Sequence, residues 1–262
     1  MSATGLADSS ERADSSERAD RTTMADSKLP SGSTKPPKNQ VLNESDWAQA
    51  TAPRMALVKR LRDKGIVSEA VLNAMARVPR ERFIDEALWS RAYQDDALPI
   101  GHGQTISQPF VVARMIEAIL PAFKSHGGAP VRVLEVGTGC GYQAAVLAQL
   151  ADEVYSIERI KPLYDKARAN LRPLRIPNVR LAYGDGYAGL PAAAPFDAII
   201  VAAAAPELPP ALEQQLKRGG KMIIPVGARS QQLKLIDKRG MTVIEKELDW
   251  VRFVPMLGGL VK

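Results

Sequence analysis

The sequence predicts an α/β protein with a mostly parallel, doubly wound sheet, helices at its amino-terminal end and an antiparallel edge at its carboxyl-terminal end. Short apolar segments alternate with amphipathic ones across residues 131–226, as in consecutive βαβ units. A glycine-rich loop follows the first of these apolar segments. The last three apolar segments, within 232–255, have no helix between them, which indicates antiparallel strands.

Residues 1–45 differ in composition from the rest of the chain. The hexapeptide Ala7–Arg12 is repeated at Ala13–Arg18, and Ser, Pro and Lys are frequent from there to Asn39. Such a segment has too few apolar side chains to offset the entropy that it would lose on ordering. We therefore expect a disordered, low-complexity tail at 1–45 and one folded domain at 46–262.

The first part of the folded domain, 46–128, is expected to hold helices and irregular loops, which the family resemblance described below would place at the substrate and the active site. Apolar residues recur at helical spacing over 55–66. A second helix is expected over 68–78, where a serine supplies the N-cap and the following proline ends the helix. Residues 83–108 are aromatic, polar and interrupted by Gly and Pro, which predicts irregular structure, and a third helix begins after Gln108.

The second part, 129–227, is expected to form the parallel core, and the third, 228–262, the antiparallel strands. The expected core strands are Val131–Val136, Glu153–Glu158, Val179–Tyr183, Ala198–Val201 and Lys221–Pro225. The expected helices between them are Gln143–Leu150, Pro162–Leu171 and Pro210–Leu216. The expected terminal strands are Gln232–Ile236, Thr242–Glu247 and Trp250–Pro255.

Composition excludes several classes of protein. Of the 262 residues, 45% are hydrophobic and 24% are charged, and no stretch approaches 18 consecutive apolar residues, so we expect a globular protein that does not span a membrane. Cys140 is the single cysteine, which excludes an intrachain disulfide and favours a cytoplasmic setting. With two histidines and no Cys/His cluster, no metal site is expected. The net charge of +6 is compatible with an anionic partner.

The glycine loop at 137–141 indicates the class of ligand. It reads Gly-Thr-Gly-Cys-Gly and follows Glu135 by one residue. Glycine lets the backbone turn sharply and approach a ligand closely. A dinucleotide loop would read GxGxxG, but Tyr142 stands where its third glycine would be, so a dehydrogenase is the least favoured interpretation. GxGxG after an acidic residue is typical of S-adenosylmethionine-dependent methyltransferases.

Two further acidic residues follow the next two expected strands. Glu158 ends the second strand, where a carboxylate can accept hydrogen bonds from both ribose hydroxyls. Asp185-Gly186 follows the third strand, where an aspartate can meet the adenine amino group. Because the carboxyl ends of parallel strands meet at one edge of a sheet, we expect these residues to surround one cofactor.

The run Leu98–Pro109 resembles the signature of the protein-L-isoaspartate O-methyltransferases, which methylate age-damaged aspartyl residues. It reads Leu-Pro-Ile-Gly-His-Gly-Gln-Thr-Ile-Ser-Gln-Pro. Other stretches that match this family are Val78–Arg80, Leu134–Tyr142, Gly184–Gly186, Pro195–Val201, Ala204–Pro206, Leu216-Lys217, Gly219-Gly220, Pro225–Gly227 and Phe253–Pro255. The resemblance covers about residues 50–260 and implies a Rossmann-like fold that binds S-adenosyl-L-methionine.

The same resemblance implies roles for individual residues. Ser107 falls on the serine assigned to the active site. The implied cofactor-binding residues are Glu135, Gly137, Thr138, Gly139, Gly141, Glu158, Asp185, Gly186 and Gln231. The implied substrate-binding residues are Ile100, His102, Thr105, Ala205 and Val254.

The implied chemistry requires alignment more than acid–base catalysis. A side-chain carboxyl group with a pKa of about 4 is ionised at neutral pH, so an isoaspartyl carboxylate needs no strong base. Transfer of a methyl group from a sulfonium is an in-line displacement, which needs aligned atoms and exclusion of water. The hydroxyl group of Ser107 or Thr105 can orient a carboxylate oxygen, and we expect His102 to order the loop or contact the substrate rather than to move a proton.

Two other functions compete with this one. A methyltransferase of another class, acting on nucleic acid or a small molecule, would suit the basic charge, but Val201–Pro206 reads Val-Ala-Ala-Ala-Ala-Pro where enzymes that methylate base nitrogens often have an NPPY-like motif. A module that binds the cofactor without catalysis is disfavoured by the intact Ser107 and glycine loop. We therefore expect isoaspartyl-containing peptides and proteins as partners, no nucleic acid, no membrane, and a monomer.

Overall fold

The computed structural model describes residues 51–123, 129–240 and 242–262, so the predicted tail at 1–45 lies outside the described residues. The helices in the described residues are α1 Ala52–Asp63, α2 Glu69–Arg77, α3 Pro109–Ile119, α4 Tyr142–Leu147, α5 Lys161–Leu171 and α6 Pro210–Gln215. The strands are β1 Leu98–Gly101, β2 Gln104–Ile106, β3 Arg132–Val136, β4 Glu153–Glu158, β5 Val179–Tyr183, β6 Phe196–Val201, β7 Leu216–Val226, β8 Gln231–Arg239 and β9 Thr242–Val251. None of the helices described is both long and apolar enough to cross a bilayer.

A seven-stranded sheet forms the centre of the described fold, in the order β5-β4-β3-β6-β7-β8-β9. The first five strands in this order are parallel, and β8 and β9 are added antiparallel at one edge. The predicted α/β class, with its doubly wound parallel sheet and antiparallel end, is confirmed. The chain leaves β3 towards β4 on one side and returns to β6 on the other, and such a reversal opens a ligand crevice at the strands' carboxyl ends.

Helices α2 and α3 begin where the sequence indicates, whereas α1 spans Ala52–Asp63 instead of the predicted 55–66. The side chain of Ser68 accepts a hydrogen bond from the main-chain N–H of Val71 at the start of α2. Pro109 occupies the first turn of α3, where its missing N–H removes no helical hydrogen bond. The apolar faces of these helices pack into the same core as β3 and β4.

A β-hairpin lies within the segment that was expected to be irregular, so that expectation was wrong for 98–106. Leu98 pairs with Ile106 and Gly101 with Gln104 in an antiparallel arrangement. The two residues of the turn, His102 and Gly103, have φ angles of 53° and 67°. Such a turn matches the twist of the strands that it joins.

The carboxyl-terminal end differs from the sequence prediction. Two strands were expected at 242–247 and 250–255, but β9 runs unbroken to Val251 and the chain then leaves the sheet. The main-chain groups of the following segment bond to the loop after β6: the N–H of Ala204 donates to the carbonyl of Val254 at 2.8 Å. The N–H of Met256 donates in turn to the carbonyl of Ala204 at 2.7 Å, so Pro255 and Ala204 form an isolated parallel bridge.

Candidate active site

Most of the predicted site residues line one cleft at the carboxyl ends of β3 and β6. The space between its lining residues is about 910 Å³, a volume that includes the part open to solvent. Much of its lining comes from the glycine loop, the hairpin with the residues after it, the end of β4 and the carboxyl-terminal segment at 254–257. The end of β3, the loop after β6, Gly186 and the first turns of α3, α4 and α5 supply the rest. The cleft therefore lies at the point where the strand order reverses.

The glycine loop needs its glycines for backbone geometry. Gly137 and Gly141 have φ angles of 92° and 90°, which disfavour residues with a side chain. The N–H of Gly137 donates to the carbonyl of Ile157 at 2.9 Å, which fixes the loop against β4. A Cβ atom on Gly139 would lie 3.2 Å from the Cδ1 atom of Ile100, because the hairpin packs directly over the loop.

Glu135 is fully buried at the end of β3 and lines the cleft. Burial raises the pKa of its carboxyl group to about 8, although the hydrogen bond from Ser156 and the nearby amide group of Gln143 act in the opposite direction. The hydroxyl of Ser156 donates to Oε2, and its oxygen lies 2.6 Å from the hydroxyl oxygen of Thr138. No described residue makes a hydrogen bond of good geometry with Oε1 of Glu135 or with the Nε2 atom of Gln143. The carboxyl group thus has one acceptor atom free for a ligand.

Glu158 joins the glycine loop to the start of α5. It is 5% exposed, and its Oε2 atom accepts a hydrogen bond from the N–H of Gly139 at 2.8 Å. Its Oε1 atom accepts one from the N–H of Ile160 at 2.9 Å. Each carboxylate oxygen can accept a second hydrogen bond, so these contacts orient the group and leave capacity for ribose hydroxyls.

The structure brings six of the nine predicted cofactor residues into the lining of the cleft. These six are Glu135, Gly137, Thr138, Gly139, Glu158 and Gly186. Gly141 lies beyond the lining as the N-cap of α4. The carboxylate of Asp185 accepts hydrogen bonds from the N–H groups of Tyr187 at 2.9 Å and Gly259 at 2.6 Å. The side-chain amide of Gln231 makes two hydrogen bonds to the main chain of Phe253: its nitrogen donates to the carbonyl at 3.0 Å, and its oxygen accepts from the N–H at 2.6 Å.

The predicted active-site serine and three of the five predicted substrate residues also line the cleft. These are Ser107, with Ile100, Thr105 and Val254. His102 lies outside the lining, exposed at the tip of the hairpin. Ala205 is fully buried, and its main chain bonds to Pro225 and Gly227.

Sequence reasoning missed several lining residues that come from the carboxyl-terminal segment and the end of β4. Met256 and Leu257 line the cleft beside Val254. Arg159 also lines it and donates hydrogen bonds to the carbonyls of Gly258 and Gly259 at 3.0 and 2.9 Å. The match of Phe253–Pro255 to the family was the one signal that this segment approaches the site.

Comparison with known proteins agrees with this geometry. A family model described as "Protein-L-isoaspartate(D-aspartate) O-methyltransferase" matches residues 52–260. The chain belongs to this family. A protein-L-isoaspartate O-methyltransferase of Dechloromonas aromatica is 58% identical over 212 residues, which are 81% of this chain and 95% of that protein. One of Bordetella avium is 60% identical over 209 residues, 79% of this chain and 77% of that protein.

Solved structures of protein-L-isoaspartate O-methyltransferases share the fold. One has a TM-score of 0.71 at 31% identity and covers 79% of this chain and 67% of its own. A putative enzyme from Plasmodium falciparum, in complex with S-adenosyl-L-homocysteine, has a TM-score of 0.69 at 29% identity. The match covers 78% of this chain and 98% of that one. The Rossmann-like methyltransferase fold that the resemblance implied is confirmed.

The cleft of this isoaspartate O-methyltransferase family member fits S-adenosyl-L-methionine, the cofactor of the family. The free Oε1 atom of Glu135 can accept a hydrogen bond from an ammonium group, and Glu158 can accept from ribose hydroxyls. Gly137 and Gly139 line the cleft without placing a side chain in it. In the described residues no group of three or more His, Cys, Asp or Glu is placed to hold a metal ion.

Proposed function

We propose that this protein transfers a methyl group from S-adenosyl-L-methionine to the free carboxylate of L-isoaspartyl residues, and of D-aspartyl residues, in damaged proteins. The observation that carries the proposal is the position of the hairpin. Ser107 and Thr105 line the same cleft as the glycine loop and Glu135. A methyl donor held by the glycine loop and Glu135 would therefore lie in the same cleft as a carboxylate held by Ser107 and Thr105.

The residues on the cofactor side of the cleft bind and orient S-adenosyl-L-methionine. When bound, S-adenosyl-L-methionine supplies an electrophilic methyl group on a sulfonium. Glu135, Gly137, Thr138 and Gly139 would hold its amino-acid portion, and Glu158 the ribose. Asp185-Gly186 and Gln231 are proposed for the adenine side, Asp185 and Gln231 acting through the segment that they anchor.

The substrate side holds a nucleophile that is already charged. The isoaspartyl carboxylate is ionised near neutral pH, so the chain needs to align one oxygen and exclude water rather than remove a proton. The hydroxyl of Ser107 can donate a hydrogen bond to the other oxygen without neutralising the charge. The first turn of α3 starts two residues later and favours an anion nearby. Ile100 and Val254 would contact the peptide on either side.

The product explains how methylation begins repair. The methyl ester has a better leaving group than the carboxylate, so the following main-chain nitrogen can attack the carbonyl and release methanol. The succinimide that forms reopens partly to a normal aspartyl residue. We infer further that the enzyme acts in the cytoplasm as a monomer; its single cysteine and the family resemblance support these two points.

The test compares two peptides of one sequence, with L-isoaspartate or normal aspartate at one position, and cofactor labelled in the methyl group. We expect label in the isoaspartyl peptide only. The label should be released as methanol in mild base, because an ester hydrolyses there and an N-methyl group does not. A third peptide with D-aspartate tests the wider substrate range.

The variant Ser107→Ala serves as the matched control. It removes one hydroxyl group from the substrate side of the cleft, so it should lower the rate of methyl transfer. Equal labelling of the first two peptides, or none, would refute the proposal. Base-stable label would instead indicate a methyltransferase of another class. Cofactor binding without any transfer would indicate a binding module.

A further inference from the structure

Arg80 is a buried cation between the hairpin and the helix that follows the glycine loop. Its side chain has no exposed surface, and burial lowers its pKa, yet an arginine stays protonated inside proteins. Its contacts with described residues are to main-chain carbonyls and an aromatic ring rather than to a carboxylate at ion-pair distance. A buried charge without an ionic partner is costly, so its presence calls for a reason.

The first set of contacts fixes the main chain at the predicted catalytic serine. Nη2 of Arg80 donates to the carbonyl of Ser107 at 2.8 Å and to that of Asp96 at 3.3 Å. Nε donates to the carbonyl of Ala92 at 2.9 Å. A guanidinium is planar with its donors in a fixed fork, so these bonds together restrain the main chain at Ser107 relative to Ala92 and Asp96.

The second set of contacts fixes the start of α4. The guanidinium carbon of Arg80 lies 4.9 Å from the ring centroid of Tyr142, the residue directly after the glycine loop. Phe83, from the same 3₁₀ turn, packs edge-on against that ring with centroids 5.5 Å apart. Tyr142 is 1% exposed and lines the cleft. The 3₁₀ turn Arg80–Phe83 thus contacts both Ser107 and Tyr142, which line the site.

We propose that Arg80 is a positioning residue for methyl transfer, which holds Ser107 in register with the glycine loop so that acceptor and donor lie in line. This inference rests on the proposed function. In-line displacement is sensitive to placement, and an error of about 1 Å can slow a reaction about 100-fold. Lysine could keep the charge at this position, but it has no planar fork to join the three carbonyls.

The experiment is a double-mutant cycle with Arg80→Lys and Ser107→Ala, measured on an isoaspartyl peptide. In the wild-type background we expect Arg80→Lys to lower kcat about 10- to 100-fold and to change the KM for peptide less than about threefold. In the Ser107→Ala background the same change should lower kcat less than about threefold, because the group that Arg80 positions is gone. Equal reductions in both backgrounds would overturn the proposal.

Arg54→Lys is the matched control for a general effect of losing a buried arginine. Arg54 is 4% exposed, and its guanidinium also bonds to the main chain, at the carbonyl of Arg77, and to the hydroxyl of Tyr93, each at 3.0 Å. Unlike Arg80, it also has a carboxylate partner, since its Nη2 atom lies 3.5 Å from the Oε1 atom of Glu81. We expect its substitution to lower Tm to a similar extent and to leave kcat unchanged. An equal fall in kcat for Arg54→Lys would show that both variants act through stability and would refute positioning.

A second variant and the peptide selectivity of the wild type keep the outcome decisive. If Arg80→Lys fails to fold, Arg80→Gln replaces it, since an amide buries no charge and still donates to a carbonyl. If neither variant folds, Arg80 is a folding determinant and the proposal is wrong. Wild-type protein that does not discriminate isoaspartyl from aspartyl peptide would refute the proposed function itself, whereas an active wild type with an additive cycle would refute positioning alone.

Discussion

The carboxyl group of Glu135 links protonation to cofactor binding. Burial holds its pKa at about 8 in the folded protein, against 4.5 for an ordinary glutamate. The folded state therefore holds one more proton than the unfolded state between these two values, and this group's contribution to the free energy of unfolding falls as pH rises through that window. An ammonium group next to Oε1 favours the ionised carboxylate, so cofactor binding below pH 8 should release a proton.

We accordingly predict that the affinity for S-adenosyl-L-homocysteine rises between about pH 6 and about pH 8, by at most about tenfold per unit, and then levels off. Calorimetry in two buffers of different ionisation enthalpy measures the proton release directly. The variant Glu135→Gln is the control and should bind more weakly with no proton release. A wild-type affinity that is constant over this range would show that Glu135 does not change its charge on binding.

Ser107 and Asp185 are predicted to affect different steps. The carboxylate of Asp185 holds the N–H groups of Tyr187 and Gly259, so Asp185→Ala should loosen the wall beside Gly186 and weaken S-adenosyl-L-homocysteine binding about tenfold or more. Ser107→Ala should leave that affinity within about twofold and lower kcat, because the hydroxyl acts on the acceptor. Calorimetry and initial rates distinguish the two, and the reverse pattern would contradict both roles.

At the scale of single elements, Asp197 in β6 braces the end of the sheet opposite to the cleft. It is 7% exposed, and its Oδ2 atom accepts a hydrogen bond from the N–H of Arg132 at 2.9 Å, while Oδ1 accepts one from the Nζ atom of Lys217 at 2.7 Å. This aspartate belongs to a stretch that matched the family, yet its contacts lie at the amino ends of the strands. Its role is therefore predicted to be stability rather than catalysis.

Replacement Asp197→Ala should lower the free energy of unfolding by about 2 kcal/mol, because the N–H of Arg132 loses its acceptor. Asp197→Asn should lose less, since its amide oxygen can still accept that bond. Denaturant unfolding measures the change. At a temperature where both variants are folded, kcat and cofactor affinity should equal those of the wild type, and a fall in kcat would place Asp197 in the catalytic apparatus instead.

Elements defined by local pattern could be predicted, and elements held by distant contacts could not. The bounds of β4 and β5 agree with the sequence prediction, because their apolar runs end at polar or glycine residues. The strands β1 and β2 have four and three residues, too few for a clear alternation. They are fixed from elsewhere in the chain, for example by the Nζ atom of Lys166 on α5, which donates to the carbonyl of Ile100 at 2.8 Å.

The same distinction applies to the candidate site. The glycine loop, Glu135 and Glu158 follow strand ends, so their convergence at one edge followed from the parallel topology. Met256 and Leu257 reach the cleft because the segment after β9 bonds to residues far away in sequence, including Ala204. No short-range pattern encodes such a path, and only the resemblance to the family pointed to its first residues.

At the scale of the whole molecule, the excess of positive charge lies in residues 46–262 and not in 1–45. Residues 1–45 contain six of the 35 Lys and Arg residues and seven of the 29 Asp and Glu residues, so 46–262 carries 29 basic and 22 acidic residues, a net charge of +7. Nucleic acid is one class of partner that such a charge attracts. An isoaspartyl peptide is another, because its substrate group is a carboxylate and its flanking residues can add further negative charge.

If the field of the domain steers substrates, kcat/KM should fall as ionic strength rises, and it should fall more steeply for an acidic isoaspartyl peptide than for a basic one of the same length. The reason is that salt screens charges over about 10 Å at 0.1 M, which reduces encounter rates while leaving the contacts in the cleft largely intact. Initial rates at several salt concentrations, with KM and kcat resolved, measure the slope. The effect should lie in kcat/KM and not in kcat, because steering acts before the complex forms. A flat salt profile for the acidic peptide would mean that the net charge of +7 has no part in substrate capture.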